Sequence, residues 1–405
     1  MPTERTSWVA RPKATRALMR RLLFASLGGR LLNTRIGFSP NHDEAARQAF
    51  VGSLKGYVNF SVEGALEQLF NVVVAPRRSA ATGKPVAARD DAEAALADHP
   101  MFALWASLAF HSQNLMWASV QDTTDRIIDE QVDSYAALAA SPDRLGSIAL
   151  SDELLVKAPI ATTEIHRQPG GYWRERRPND LETALNYSGT VDLYRNAKGM
   201  GVGGKIGSDS LGRYVSGIVR KYAPDLDPQA ILDMGCGTGE QTLGYKREFP
   251  NARVTGIDCA RPFVRFAHGL SESEGLALDF AEMDASQTGF GNQSFDLVVS
   301  IIMFHETTRA QVQGILSECW RLLRPGGLML HLDVPYQPSR MPLIKQVTNH
   351  WQVRHNGEPF WTGFAELDMK QEVIAAGFDP DLAFANYESA GPAVYHFFGG
   401  RKAYG

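Results

Sequence analysis

The chain has 405 residues, 44% of them hydrophobic and 21% charged, with a net charge of −4. Those values exclude a disordered or fibrous chain, and the length exceeds the roughly 250–300 residues at which a single core stops growing. The charge is unevenly spread: residues 1–220 hold 26 Lys and Arg against 23 Asp and Glu (+3), and residues 221–405 hold 15 against 22 (−7).

The chain begins basic, with Arg5, Arg11, Lys13, Arg16, Arg20, Arg21, Arg30 and Arg35 facing a single acid, Glu4. The apolar stretch Leu22–Leu27 is too short for a secretory core, and no run of 18 uncharged apolar residues predicts a membrane span. Cys236, Cys259 and Cys319 lie far apart and form neither a disulfide framework nor a zinc spacing, which points to the cytoplasm. Helices are expected over 44–50, 62–74, 92–97, 102–120, 124–140 and 152–156, with loops at 85–88 and 168–178 and almost no strand-like alternation. Phe102, Trp105, Phe110, His111, Asn114 and Trp117 share one long helix and read as core. The stretch Gly199 to Lys205 mimics a phosphate loop, but Ile206 holds the required Ser/Thr position and no strand precedes it. It reads as a hinge or lid loop.

From Ile231 the pattern changes. Apolar runs at 231–234, 253–257, 295–302 and 327–334 alternate with helical segments at 240–249, 262–271 and 309–323, the signature of βαβ units and a parallel sheet. Pro325-Gly326-Gly327 reads as a helix stop leading into a strand. An insert at 336–362 interrupts the series. A helix at 364–376 and two strands at 383–387 and 393–398, joined by a turn at 388–392, suit a closing hairpin. The boundary falls between about 185 and 225, giving a helical substrate or cap domain over 1–200 and an α/β domain over 201–405.

The segment Asp233-Met234-Gly235-Cys236-Gly237-Thr238-Gly239 follows a strand and opens a helix. A dinucleotide fingerprint requires a third glycine where Glu240 stands, so NAD fits poorly. The segment instead resembles the first motif of class I S-adenosylmethionine-dependent methyltransferases, D/E-x-G-x-G-x-G. The resemblance continues through Asp258 and Cys259 after the second strand, Asp284-Ala285 after the third, Phe295–Ser300 in the fourth, and Leu322–Gly327 before the fifth. It implies a Rossmann-like, seven-stranded, mostly parallel sheet with an antiparallel last strand, preceded by the large helical domain. It also implies S-adenosylmethionine as cofactor, held by Asp233, Gly235, Cys236, Gly237, Gly239, Asp258, Cys259, Asp284, Ala285 and Ser300. In that family the acid after the second strand takes the ribose hydroxyls, and a tyrosine before the first strand, here Tyr194, closes over the cofactor.

The loop Met303-Phe304-His305-Glu306-Thr307 follows the fourth strand, beside the reactive methyl in this family. It lacks N/D-P-P-Y, which argues against exocyclic-amine chemistry on bases and, with the −7 charge, against a nucleic-acid partner. His305 suits a general base for a hydroxyl or acidic carbon, with Glu306 orienting it, replacing it or pairing with substrate. A zinc reading of His305-Glu306 fails because Arg309 stands where a second His is required, so no metal is assigned. His331 and Asp333 share a strand face and read as a buried hydrogen-bonded pair. His350, Trp351, His355, Phe360 and Trp361 place aromatics in the insert, where they are expected to wall an acceptor. The expected activity is methyl transfer to oxygen or carbon of a small organic acceptor. Two alternatives remain: a lipid- or quinone-type methyltransferase reaching a membrane through the basic start, and a non-catalytic cofactor-binding interaction protein. A homodimer is left open.

Overall fold

The computed structural model describes residues 35–153, 160–196, 208–335, 337–390 and 393–404. The basic start before Arg35 and the 199–205 loop lie outside them, as does most of the expected 152–156 helix, whose residues 152 and 153 form a bend.

In the first half, α1 (His42–Gly56) starts at Asn41 through a capping box with Glu44. The helical run continues through α2 (Glu63–Leu69) and α3 (Ala75–Thr82), with π-helical stretches at Tyr57–Val62 and Phe70–Val74 between them. After α4 (Arg89–Leu96), the two helices expected over 102–120 and 124–140 are one 41-residue helix, α5 (Pro100–Ala140). The expected break, at 121–123, includes Thr123, which with its neighbour Thr124 is fully buried. Thr123 Oγ1 donates to Glu44 Oε2 (3.1 Å) and accepts from Gln48 Nε2 (3.0 Å), so these polar residues sit on the face that packs against α1.

Among the described residues the sheet has eight strands, in the order β1-β4-β3-β2-β5-β6-β8-β7. Seven come from the second half: β2 (Ala230–Met234), β3 (Arg253–Asp258), β4 (Asp279–Glu282), β5 (Phe295–Ile301), β6 (Leu323–Asp333), β7 (Ala383–Ala390) and β8 (Ala393–Arg401). The eighth, β1 (Ser147–Ala149), comes from the first half and pairs parallel with β4 at the sheet edge. Three residues are too few for a period-2 pattern to register in sequence. Strand β8 runs antiparallel between β6 and β7. Strand β6 starts at Leu323, ahead of Pro325-Gly326-Gly327 rather than after it, because the pairing with β5 shifts register between Phe295↔Leu323 and Leu297↔Leu328.

Two apolar layers cover the sheet. Helices α7 (Ser210–Tyr222), α8 (Glu240–Glu248) and α9 (Arg261–Ser273) pack one face; α10 (Arg309–Leu322) and α13 (Met369–Ala375) pack the other. The Asp368 carboxylate caps α13 and separates it from α12 (Trp361–Ala365), splitting the expected 364–376 helix. The 336–362 insert folds as α11 (Leu343–His355), whose Ile344 and Val347 join Val58, Leu66 and Trp105 of the helical half in one buried cluster. Helix α6 (Glu182–Asn196) and α5 pack against α9. The two halves thus meet along the edge where the strands end.

Candidate functional site

The glycine segment leaves β2 in a sequence of left-handed turns, with Gly235 at φ 64°, Gly237 at 54° and Gly239 at 78°. A Cβ on Gly235 would stand 2.6 Å from the Met303 side chain, whereas one on Gly237 would face open space. Gly235 is therefore glycine for fit and backbone, and Gly237 borders an open cradle. The Gly237 amide donates to Asp258 Oδ2 (3.0 Å) and the Ala260 amide to Oδ1 (2.8 Å). Burial raises Asp258 to a pKa of about 6 despite those bonds. Asp233, buried beneath, accepts from Thr242 Oγ1 (2.7 Å) and is raised by burial to about 7. Cys236 lies buried beside this turn, its amide bonded to the Ile257 carbonyl (2.9 Å).

Beyond β5, Ile302 adopts φ 57° and turns the chain into Phe304–Glu306. Asp333, at the end of β6, organises this loop. Its Oδ2 accepts from the Phe304 amide (2.8 Å) and its Oδ1 pairs with His305 Nδ1 (2.8 Å). Glu306 Oε1 meets His166 Nε2 (2.8 Å), the Tyr172 hydroxyl (3.1 Å) and, at 3.9 Å, His305 Nε2. His166 Nδ1 pairs with Glu358 at 2.5 Å. Burial alone would lower the His305 pKa, but the charges of Asp333, Glu306 and Glu358 outweigh it and hold the ring at about 9. Glu358 and Glu306 hold His166 well above its ordinary value in the same way.

His166 is backbone-strained. It adopts φ 53° and Arg167 φ 61°, a conformation costly for non-glycine residues. Its amide donates to the Gly357 carbonyl (2.8 Å), and its own carbonyl accepts from Gln113 Nε2 and Trp117 Nε1 (2.8 Å each). Behind it lies a cavity of about 120 Å³ lined by Lys55, Gln113, His166, Tyr194, Asn356 and Glu358. Lys55 Nζ donates to Gln113 Oε1 (2.6 Å), and burial lowers its pKa to about 8.

The structure brings Asp233, Gly235, Cys236, Gly237, Gly239 and Asp258 together, with His305 and Glu306 on the neighbouring loop. Asp284 bonds the Ser286 amide and hydroxyl (2.8 and 2.7 Å), and Ala285 packs at the rim of the core. Cys259 lines a different cavity, with Trp173, Arg174 and Arg261. Ser300 is engaged inside the sheet with His331 Nδ1 (2.8 Å). His331 and Asp333 are thus not a pair: burial lowers His331 to about 3, while Asp333 serves His305. Side chains two apart on a strand lie about 6.6 Å from each other, so each finds a nearer partner across the sheet. Tyr194 lies on the cavity wall with Lys55 and Gln113. Two turns earlier on α6, Tyr187 packs on Tyr172 and Phe263, and burial, helped by the charges of Glu306, Glu240 and Asp258, raises its hydroxyl pKa. Of the insert residues, Trp361 lies tilted against His305 (centroids 5.4 Å), Trp351 packs on Trp105, and His350 pairs with Glu93.

Sequence reasoning missed His166, Tyr172 as a partner of Glu306, Glu358, Lys55 and the role of Asp333. His166 and Glu358 stand alone in irregular segments and carry no spacing signal. Asp333 was in view but assigned to the wrong histidine.

Residues 231–327 match a family model described as a methyltransferase domain. A demethylmenaquinone methyltransferase of Thermus thermophilus is 37% identical over 124 residues, 30% of this chain and 56% of that protein. A fatty-acid O-methyltransferase of Mycolicibacterium smegmatis is 32% identical over 128 residues, 31% of this chain and 45% of that protein. A tRNA N(3)-methylcytidine methyltransferase of Drosophila melanogaster is 30% identical over 162 residues, 38% of this chain and 49% of that protein. The chain spans about half the length of these curated relatives, and their named acceptors differ in chemistry.

Proposed function

We propose that the chain, whose residues 231–327 match a methyltransferase-domain model, is a class I S-adenosylmethionine-dependent methyltransferase and methylates an oxygen or carbon of a small organic acceptor at the His305–Glu306 loop. The observation that carries this reading is a juxtaposition. The glycine turn with Asp258 and the loop bearing His305 are neighbours, joined by the contact of Met303 with Gly235. The residues fit the cofactor: Gly237 borders an open cradle, and Asp258 keeps a carboxylate beside it that can accept from a diol. When bound, S-adenosylmethionine supplies an electrophilic methyl on a sulfonium with a neutral thioether as leaving group. Asp258 would hold the ribose, Asp284 the adenine edge, and the glycine turn the rest of the molecule.

The chain's own residues must orient the acceptor, exclude water and take its proton. Lys55, Gln113 and Tyr194 supply polar contacts for an oxygen substituent of the acceptor, at the wall that His166 and Glu358 share. Asp333 fixes the His305 ring through Nδ1 and leaves Nε2 toward Glu306. At a pKa of about 9 the ring is protonated at neutral pH, and a positively charged ligand lowers that value and frees Nε2 to accept a proton. The test is transfer of labelled methyl from S-adenosylmethionine to a panel of phenols, quinols and fatty acids. Label in any of these supports the reading; no cofactor binding by calorimetry overturns it.

A second reading, a lipid- or quinone-type acceptor met at a membrane surface, draws on Phe50, Tyr57, Phe60 and Val72. All four are more than half exposed on the α1–α3 run. No helix among the described residues is long and apolar enough to cross a membrane. Anionic liposomes should then sediment the wild-type chain and not a variant in which Phe50, Tyr57, Phe60 and Val72 are changed to Ser. Equal sedimentation of the two, or none, removes this reading.

A further inference from the structure

We propose that His166, His305 and Glu306 form a binding site for one divalent transition-metal ion of the zinc or iron(II) type. One donor atom from each lies within 4.8 Å of the other two. The arrangement around them is that of metal-bound imidazoles. Asp333 occupies His305 Nδ1 and Glu358 occupies His166 Nδ1, so both Nε2 atoms are left to converge on Glu306 Oε1, at 3.9 and 2.8 Å. A carboxylate on the far nitrogen fixes ring orientation and makes the near nitrogen a stronger donor. An ion about 2.1 Å from each donor would set them about 3.4 Å apart. The 2.8 Å separation must open and the 3.9 Å one close by roughly half an ångström each, and the two Nε2 atoms, within 4.8 Å of each other, must come to the same spacing.

Two imidazoles and one carboxylate suit zinc or iron(II) and disfavour magnesium or calcium, which take oxygen. Both ligand-bearing loops also carry non-glycine residues in left-handed conformations, His166 at φ 53° and Ile302 at φ 57°, strain kept where side-chain placement matters. Glu306 and His166 are 16% and 26% exposed, and His166 also lines the Lys55 cavity, so the cluster is not sealed from solvent. The second histidine that the His305-Glu306 motif lacks stands 140 residues before Glu306, on the other half of the chain.

The ion site does not rest on the methyl-transfer reading; only its use does: with His305 Nε2 a ligand of the ion, that ring no longer serves as the base, and an acceptor hydroxyl bound to the ion would instead lose its proton more readily. The full chain, stripped with chelator, is titrated with Co²⁺ and followed by visible absorption, with Zn²⁺ as competitor. One equivalent of Co²⁺ giving d–d bands that Zn²⁺ displaces is expected, with affinity falling about 100-fold or more in His166→Gln and in Glu306→Gln. Glu358→Gln, outside the coordination, should cost about 10–100-fold and covers the case in which a ligand variant fails to fold. Less than a tenth of an equivalent bound by the wild-type chain, or unchanged affinity in these variants, overturns the site. S-adenosylhomocysteine binding is measured on the same samples: Co²⁺ bands without it uphold the ion site and sink the methyl-transfer reading, and the converse sinks the ion site alone.

Discussion

The α/β half and the helical half contribute to one site in different ways. Asp233, Asp258, His305 and Asp333 all stand at or just beyond the carboxyl ends of β2, β3, β5 and β6, because a parallel sheet delivers its strand ends to a single edge. Order in the chain becomes proximity without further instruction. His166, Lys55 and Gln113 reach the same place from a strained turn and two helices, and only tertiary packing aligns them. On the proposed reading, the sheet half carries the cofactor side of the site and the helical half most of the acceptor side.

Substitutions can break or sharpen that division. The largest effect is expected from His305→Ala, which should cut methyl transfer at least about 100-fold while leaving S-adenosylhomocysteine affinity within about twofold; near-normal turnover would clear His305 of a role in proton transfer. Next, Asp258→Ala should weaken the cofactor about tenfold, the loss of an acceptor from a diol, measured by calorimetry. The wild-type chain adds a pH test. The folded pKa of about 6 lies above that of an unfolded aspartate, so the stability it contributes is full below about pH 4 and is lost as pH rises through 6. A diol prefers the ionised form, so cofactor affinity should rise with pH over that same window, by about tenfold from pH 5 to 7.5; a flat profile would remove Asp258 from the ribose.

On the helical side, Lys55→Met should raise the acceptor KM about tenfold and change kcat and cofactor affinity little, whereas a change confined to the cofactor would erase the division. The smallest expected effect is structural. Glu44 accepts from Arg126 Nε and Nη2 (2.7 Å each), which holds its pKa at about 2. Glu44→Gln should cost about 1–3 kcal/mol in denaturant unfolding with the cofactor affinity untouched. That stability is present above the unfolded glutamate pKa of about 4.3 and is lost as pH falls through about 2.

Much of the sheet half was legible in sequence, and for a physical reason. The glycine turn, Asp258 and the His305 loop are local motifs, and buried parallel strands announce themselves as apolar runs. Strand β1 is too short to show a pattern, and the expected break in α5 falls on the polar residues 121–123, of which Thr123 is buried only by its neighbours. Asp333 was given to His331, two residues away on its own strand, when it belongs to His305 on the next loop. His166 left no trace, since a non-glycine residue held in a left-handed conformation by Gln113, Trp117 and Gly357 is a product of the fold. Glu358 sits in the insert, where aromatic residues drew notice and the acid that anchors His166 did not.

The division of labour meets its most direct test in a crystal structure of the full chain with S-adenosylhomocysteine. The account predicts the ribose on Asp258 and the sulfur facing the space bounded by His305, Glu306 and His166, with room for an acceptor atom about 3–3.5 Å from the methyl position. A sulfur turned away from that cluster, or a cluster walled off from it by protein, would contradict the claim that the two halves build one site.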